Sequence, residues 1–300
     1  MAQYNALGSW GWLDSVDQET LSGVDVILGD VRDQASVINF MRDASVVYHL
    51  AALIAIPYSY QAPASYLETN ARGTLNVLEA ARSLGTSRVI HTSTSEVYGT
   101  ARHVPIAEDH PLQAQSPYSA SKIAADKFAE SYHLSFSIPV VTLRPFNTYG
   151  PRQSARAVIP TIVSQVAADA AQVRLGSLAP ARDFTFVADM VEAFVAVGAA
   201  PDEAVVGKVL NAGSGTETTI ADLVDRIGQI MGRRVEVVEE QDRVRPDRSE
   251  VMRLVSDARH LTEATGWRPR YSLEDGLRAT AEWFCEPTNL QRYKTAIYNV

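Results

Sequence analysis

Residues 88–99, Arg-Val-Ile-His-Thr-Ser-Thr-Ser-Glu-Val-Tyr-Gly, run from a short apolar strand into a polar loop, and residues 118–122, Tyr-Ser-Ala-Ser-Lys, begin 22 positions after Glu96. The first stretch predicts a strand over Arg88 to Thr94. Pro117 then opens a helix to about Phe136, because proline's missing N–H costs nothing in a first helical turn. The alternation continues on both sides. Upstream, Val24 to Asp30 (VDVILGD) reads as a strand, Gln34 to Arg42 has helical spacing of Val37, Ile38 and Met41, and Val46 to Ala51 is another strand. Ser65 to Leu84 is a long helix stopped by Gly85, and Pro139 to Arg144 is a further strand. Strands alternating with helices of this length predict a parallel sheet covered on both faces, the doubly wound α/β class.

Beyond Gly150 the pattern loosens. Helices are expected at Val158 to Ala170, Ala188 to Ala199, Ile220 to Met231 (capped by Thr218 and Thr219) and Leu273 to Phe284, with strands near Val173 and at Lys208 to Asn211. The division expected is a nucleotide-binding half over 1–150 and a mainly substrate-binding lobe over 151–300, with part of 151–220 interleaved. No internal repeat stands out.

Composition restricts the partners. The 300 residues are 46% hydrophobic and 21% charged, with a net charge of −8. That acidic balance argues against nucleic acid or an anionic membrane as the main partner, since no basic excess exists to meet phosphates in bulk. Cys285 is the only cysteine, so no intrachain disulfide or thiolate cluster is available, and a reducing cytoplasm is the natural compartment. No apolar run reaches membrane-spanning length, and the opening residues lack a secretory signal pattern. The six histidines are scattered, without a metal-ligand spacing.

Tyr118 and Lys122 share one helix face a single turn apart. An ammonium there favours tyrosinate and is expected to lower the tyrosine pKa from about 10 toward neutrality, which makes Tyr118 a base for a hydroxyl proton. The bare spacing is more often a solvated helix face. Thr94 and Glu96 sharpen it: if the strand continues, period-two alternation puts both on one side at its carboxyl end, where open α/β sheets bind ligands. A hydroxyl can bond a reacting oxygen, and a carboxylate can take a proton made acidic by a new ketone. Glu96 alone is equally a surface carboxylate.

Ser93-Thr-Ser-Glu-Val-Tyr-Gly99, Tyr118-Ser-Ala-Ser-Lys122 and Arg144-Pro-Phe-Asn-Thr-Tyr-Gly-Pro-Arg152 together resemble the extended short-chain dehydrogenase/reductase family, the NAD-dependent epimerases and dehydratases. Gly29-Asp-Val-Arg-Asp33 and Leu50-Ala-Ala52 match strand ends that touch the dinucleotide there. Within the family, Ser9-Trp-Gly-Trp-Leu-Asp14, Ala51 to Tyr60, Gln153 to Pro160 and Ile297-Tyr-Asn-Val300 are similar to the configuration-retaining UDP-N-acetylglucosamine 4,6-dehydratases of the legionaminic acid pathway.

The resemblance implies that Tyr118 takes the sugar 4-hydroxyl proton while a hydride passes from C4 to NAD+, with Thr94 bonding the oxygen and Lys122 tuning Tyr118. Glu96 would remove the C5 proton, water would leave from C6, and returning the hydride to C6 and a proton to C5 would give a 4-keto-6-deoxy product. Ser95 stands where glucose-type dehydratases carry an aspartate, so its part in protonating the leaving group is open. Cofactor contacts are implied for Asp30, Val31, Leu50, Ala51, Ala52, Asn70, Thr92, Tyr118, Lys122 and Pro145. Substrate contacts are implied for Asn147, Arg156, Arg182, Arg245 and Arg248, whose guanidinium forks suit a diphosphate. Each arginine is equally a candidate for a surface ion pair. No metal is implied, and the family's dimer forms through helices 65–84 and 117–136.

No G-x-G-x-x-G turn precedes Tyr4, although this fold receives pyrophosphate on such a turn. By the family pattern a module of about thirty residues, one βα unit plus a strand, is expected to be missing. A late start site and a truncated gene both account for this. Either way, the chain as given is expected to bind NAD poorly and to be unstable; purified 1–300 protein carrying stoichiometric NAD would contradict that. Rival functions are a 4-epimerase, which needs no C5 base, a UDP-glucuronate decarboxylase, which shares Ser-Glu-Val-Tyr-Gly, and an inactive assembly subunit.

Overall fold

The computed structural model describes residues 1–299; Val300, the last residue of the Ile297-Tyr-Asn-Val300 stretch, lies outside them. Its centre is a parallel four-stranded sheet in the order β3 (Val46–His49), β4 (Arg88–Thr92), β5 (Val140–Pro145) and β9 (Val209–Ala212). This is the doubly wound arrangement expected. The register sets Val89 opposite Val140 and His91 opposite Thr142. Period two then decides what each face carries. Val47, Val89 and Val140 pack under the helices Gln34–Met41, Gly73–Leu84 and Pro117–Phe136, while Ile90, Val141, Leu143 and Leu210 face Val187–Ala199 and Arg259–Thr265.

The Pro117–Phe136 helix starts where the sequence places it. Ser116 accepts from the Ser119 N–H at 3.1 Å in a reciprocal capping box, with Pro117 at the first helical position. The run expected as one helix from Ser65 to Leu84 is helical but not uniform: Pro63–Tyr66 leads into a π-helical turn at Leu67–Arg72 and then Gly73–Leu84, which ends on left-handed Gly85. A π turn inserts a residue into the ladder, and 3.6-residue periodicity does not reveal it.

The strand expected over Val24 to Asp30 is a correction. Only β2 (Leu28–Gly29) is extended, paired in parallel with β1 (Ala2–Gln3). Val24, Ile27 and Leu28 are exposed, so this apolar run lacks the covering layer that would extend its pairing. Among the described residues no pairing joins this ladder to the central sheet, and β3 has a partner on one edge only.

A second core, from Tyr149, Ile159, Ile162, Val163, Phe184, Leu223, Ile227 and Phe284, fills the lobe beyond. There β8 (Ala181–Phe186) pairs in parallel with β6 (Asn147–Tyr149) and β12 (Arg253–Leu254) and antiparallel with β10 (Glu217–Thr219). A separate ladder pairs β7 (Val173–Leu175) with β11 (Val237–Glu239). Because β9 completes the central sheet while β6 serves the lobe, the chain crosses between the two bodies more than once. No helix among the described residues is long and apolar enough to cross a membrane.

Candidate functional site

Strand β4 stops at Thr92, two residues short of the Thr94 expected and four short of Glu96, which the alternation argument requires. Ser95–Tyr98 is instead a 3₁₀ turn, and Thr94 caps it in extended conformation, its Oγ1 accepting from the Glu96 N–H at 3.2 Å. Thr94 and Glu96 are thus brought together by a cap, not by the pleat. A threonine hydroxyl gives a backbone N–H an alternative to the strand ladder, which is why the strand ends here. Gly99 closes the turn at φ +63°, where a Cβ would lie 2.8 Å from the Gln113 carbonyl oxygen.

Tyr118, in the first turn of the Pro117–Phe136 helix, is buried, and the Thr94 side chain is the polar group that lowers its pKa. The Tyr66 ring meets it edge-on at 6.1 Å. Glu96 is half-buried beside this pair, and its charge is felt by both Tyr118 and Arg182. Ser95 is buried within the turn.

The expected depression of the Tyr118 pKa is not found. Burial pushes it well above the usual tyrosine range, Glu96, Tyr66 and Asp126 add to the rise, and the Thr94 side chain opposes it. Lys122 is also buried, and its pKa falls to about 8 through desolvation, partly offset by Asp126. Its Nζ donates to the Thr92 carbonyl oxygen at 2.5 Å. The two groups share a helix face, but the loss of hydration outweighs any pull of the ammonium on the phenol.

One turn further along, Asp126 is the hub of a buried polar cluster. Its Oδ1 accepts from His91 Nε2 at 3.0 Å, and its Oδ2 accepts from Ser93 Oγ at 2.9 Å and from Arg144 Nε and Nη2 at 3.1 and 3.0 Å. Burial alone would raise its pKa; these bonds and the adjoining positive charge reverse that, and it lies below the carboxylate range. Burial holds His91 neutral, which assigns the proton to Nε2 and leaves Nδ1 without a partner. Arg144 continues to Tyr98, whose hydroxyl donates to Asn211 Oδ1 at 2.7 Å.

The residues expected at a dinucleotide divide into two groups. Thr92 Oγ1 is buried with no partner, close to the Lys122 ammonium that its own carbonyl receives, and Leu50 and Ala51 form an exposed apolar rim. Asn70 is fully buried and clamps that rim, bonding the Leu53 N–H and carbonyl at 2.8 and 2.9 Å and Ser121 Oγ at 2.9 Å. Pro145 ends β5 opposite Ala212, and Ala52 is half-buried. An orphaned hydroxyl, a buried cation and an apolar rim fit the ribose and nicotinamide end of NAD. At the other end Asp30 is paired with Arg32 at 2.5 Å, and Val31 packs into the core while its carbonyl accepts from Asn76 at 3.0 Å. No G-x-G-x-x-G turn is among the described residues.

On the lobe side, Arg182 is buried and pairs with Glu250 Oε1 at 3.3 Å, and Arg245 approaches the same oxygen at 3.5 Å without a hydrogen bond. Two guanidinium groups on one carboxylate leave a net positive charge next to Glu96. Asn147 presents a buried Oδ1 with no partner. Arg156 is exposed, and its charge is felt by Tyr66. Arg248 is not brought in by its side chain, which is exposed; its carbonyl accepts from Gln115 Nε2 at 3.0 Å. Ser249 bonds Tyr60 and the Gln115 carbonyl, closing the lobe onto the other half. A cavity of about 450 Å³ near Arg174, Arg243 and Tyr298, and one of about 330 Å³ behind Asp126 and Arg144, are both away from Tyr118 and Glu96. Among the described residues no three acidic, histidine or cysteine groups form a metal cluster.

Sequence reading missed Ser93, Asp126, Glu250 and Tyr66. For Asp126 a signal existed: four residues after Lys122, a carboxylate interrupts the buried stripe of Ala125, Ala129 and Tyr132.

The family model described as GDP-mannose 4,6 dehydratase matches residues 1–280. The chain is 33% identical over 263 residues to a dTDP-glucose 4,6-dehydratase of Streptomyces antibioticus, covering 87% of this chain and 76% of that protein. It is 32% identical over 243 residues to a UDP-glucose 4-epimerase of Mycolicibacterium smegmatis, covering 80% and 75%. The crystal structure of DesIV, a dTDP-glucose 4,6-dehydratase from Streptomyces venezuelae with NAD and TYD bound, superposes with a TM-score of 0.79 at 29% identity, covering 90% of this chain and 84% of that one.

Proposed function

Because the chain belongs to the extended short-chain dehydrogenase/reductase family of NAD-dependent sugar-nucleotide dehydratases and epimerases, we propose that it is a sugar-nucleotide 4,6-dehydratase acting on UDP-N-acetylglucosamine. The observation that carries the reading is Glu96: a half-buried carboxylate beside the Tyr118–Thr94 pair and facing Arg182. A 4-epimerase has no use for a second base at C5; an elimination does.

Tyr118 accepts the 4-hydroxyl proton, and the Thr94 hydroxyl beside it holds the same oxygen. Glu96 takes the C5 proton once C4 is a ketone and passes it through the Ser95–Glu96 turn to the C6 hydroxyl, which leaves as water; as the hydride returns to C6, a proton returns to C5 through Glu96, and Tyr118 releases the one it took. Lys122, Thr92, Asn70, Leu50 to Ala52 and Pro145 hold the nicotinamide and ribose end of the cofactor, and Asp30 and Val31 its adenosine end. When bound, NAD+ supplies the acceptor that takes the C4 hydride and returns it to C6, and a positive ring charge that favours tyrosinate. Arg182, Arg245, Arg156 and Asn147 meet the nucleotide diphosphate and its sugar; the unpartnered Asn147 Oδ1 and the two guanidinium groups on Glu250 support this. Two copies pair through 65–84 and 117–136, which expose Leu67, Phe128, Leu134 and Phe136, and the molar mass from sedimentation equilibrium checks that.

Incubation with UDP-N-acetylglucosamine and NAD, followed by product mass, tests the assignment. Loss of water is expected. An unchanged mass with an altered C4 configuration would give the epimerase reading that the Mycolicibacterium relative favours, and decarboxylation with UDP-glucuronate would give the third.

A further inference from the structure

We propose that Ser93 and Asp126 form a positioning device that sets the catalytic loop Thr92–Glu96 against Tyr118 and Lys122. The proposal rests on the dehydratase reading for its kinetic test, but its geometry does not.

Two consecutive turns of the Pro117–Phe136 helix grip two consecutive residues of the loop. Lys122 Nζ donates to the Thr92 carbonyl at 2.5 Å, and Asp126 Oδ2 receives the Ser93 hydroxyl at 2.9 Å. The Ser93 N–H donates to the Leu143 carbonyl at 2.7 Å, so the loop is also tied to β5. Arg144, on that strand, returns two bonds to Asp126. Helix, loop and neighbouring strand thus converge on one carboxylate. Thr94 and Glu96 are the next residues along. Rotation of the loop about Ser93 would carry the Thr94 hydroxyl away from Tyr118, and misplacement on the order of 1 Å can cost about 10²-fold in rate.

Asp126 also sets charge. The groups that face Lys122 and Tyr118 are His49 from β3, His91 from β4, Glu96 from the turn, Tyr66 from the flanking helical run, and Asp126, which Arg144 from β5 pairs in turn. His49 and His91 are held neutral by burial. Asp126 is therefore the anion that keeps the Lys122 ammonium charged, and it opposes the tyrosinate of Tyr118. Removing its charge lowers both titrations.

The least disruptive probe is Ser93→Ala, which deletes one of four bonds to Asp126 and leaves Arg144 paired. Turnover is expected to fall about tenfold with KM unchanged within twofold, and Ser93→Thr is expected to restore most of it. A lowered thermal midpoint with unchanged turnover would make Ser93 merely structural and overturn the proposal. The second probe needs neither cofactor nor substrate: ultraviolet titration of tyrosinate, taken as the difference between the protein and its Tyr118→Phe variant. Asp126→Asn is expected to lower the Tyr118 titration, while Asp126→Glu keeps it. An unmoved titration in folded Asp126→Asn protein overturns the electrostatic part. If Asp126→Asn does not fold, Ser93→Ala and Ser93→Thr decide the positioning on their own. Because the titration is independent of turnover, its failure is distinct from a failure of the dehydratase assignment, which would show as no water loss in any variant.

Discussion

Two flanks of the molecule, the inner strands of the central sheet and the separate β1–β2 ladder, are held very differently. Around β4 and β5 every polar group of Asp126 is occupied, Val89, Ile90, Val141 and Leu143 are fully enclosed, and four elements meet at one carboxylate. Around β1 and β2 each strand has two residues, and Met1, Tyr4, Leu7, Ile27 and Leu28 are exposed. The first region carries the residues assigned to chemistry and the second those assigned to the adenosine end of the cofactor. Where reacting groups must hold position to a fraction of an ångström, the fold over-determines them; the flank proposed to receive a large ligand is lightly tied.

The largest effect should come from the centre of the ordered flank. Tyr118→Phe keeps the ring against Tyr66 and removes only the hydroxyl, so turnover should drop about 10³-fold, within the range of general acid–base catalysis, with the thermal midpoint little changed. Steady-state product mass assays and calorimetry separate the two. Retained turnover would remove Tyr118 from the chemistry and leave the comparison of flanks without its functional half.

Next comes stability in the same region. Arg144→Met leaves the Asp126 carboxylate buried without its guanidinium partner, and breaking a buried pair from one side costs about 3–5 kcal/mol. Urea unfolding should show it as a lower midpoint. Simultaneous Asp126→Leu should recover part of the loss, because the cost lies in the orphaned charge and not in the missing attraction.

The ordered flank was only partly legible. The Pro117–Phe136 helix and its start can be read from Ser116, Pro117 and the stop at Ser137, since capping is local chemistry. Tyr118, Lys122, Thr94 and Glu96 were found by type and spacing, yet the reason given for joining Thr94 to Glu96 was a strand that ends at Thr92. The Asp126 hub was not legible, because its partners His91, Ser93 and Arg144 come from two strands and become neighbours only through the register of β4 on β5. The Tyr118 and Lys122 titrations were misread for a related reason: spacing on a helix reports proximity, but burial, which dominates both, is a property of the assembled layers. On the loose flank the error was opposite. Val24 to Asp30 has the composition of a strand, and composition does not supply a partner.

Lys122 gives a smaller, signed effect. Its folded pKa of about 8 is below the usual lysine value, so the unfolded chain binds the extra proton between about pH 8 and 10.5 and stability rises with pH through that window. Below about pH 8 the buried ammonium carries its full penalty, on the order of 3 kcal/mol before its Thr92 bond is credited. Lys122→Met should therefore raise the unfolding midpoint at pH 7 by a net 1–2 kcal/mol, flatten the rise between pH 8 and 10.5, and abolish turnover. A variant less stable than the parent at pH 7 would mean that the hydrogen bond to Thr92 outweighs desolvation.

The smallest effect is expected on the loose flank, and it is the sharpest test of the contrast. Ile27 is 47% exposed, next to the two-residue ladder, and its carbonyl rather than its side chain is used, accepting from the Ala2 N–H at 2.8 Å. Ile27→Thr keeps the branched Cβ and that backbone bond, so stability should change by less than about 0.5 kcal/mol, as for surface substitutions without a special role. Ile90→Thr makes the same chemical change at a fully enclosed site on β4, where the lost methyl contacts and an unpartnered hydroxyl together should cost about 2–4 kcal/mol. Urea denaturation of the pair at matched pH measures the ratio directly. Equal losses would show that the β1–β2 ladder is packed as firmly as the strands beneath Asp126, and the functional meaning drawn from their difference would go with it.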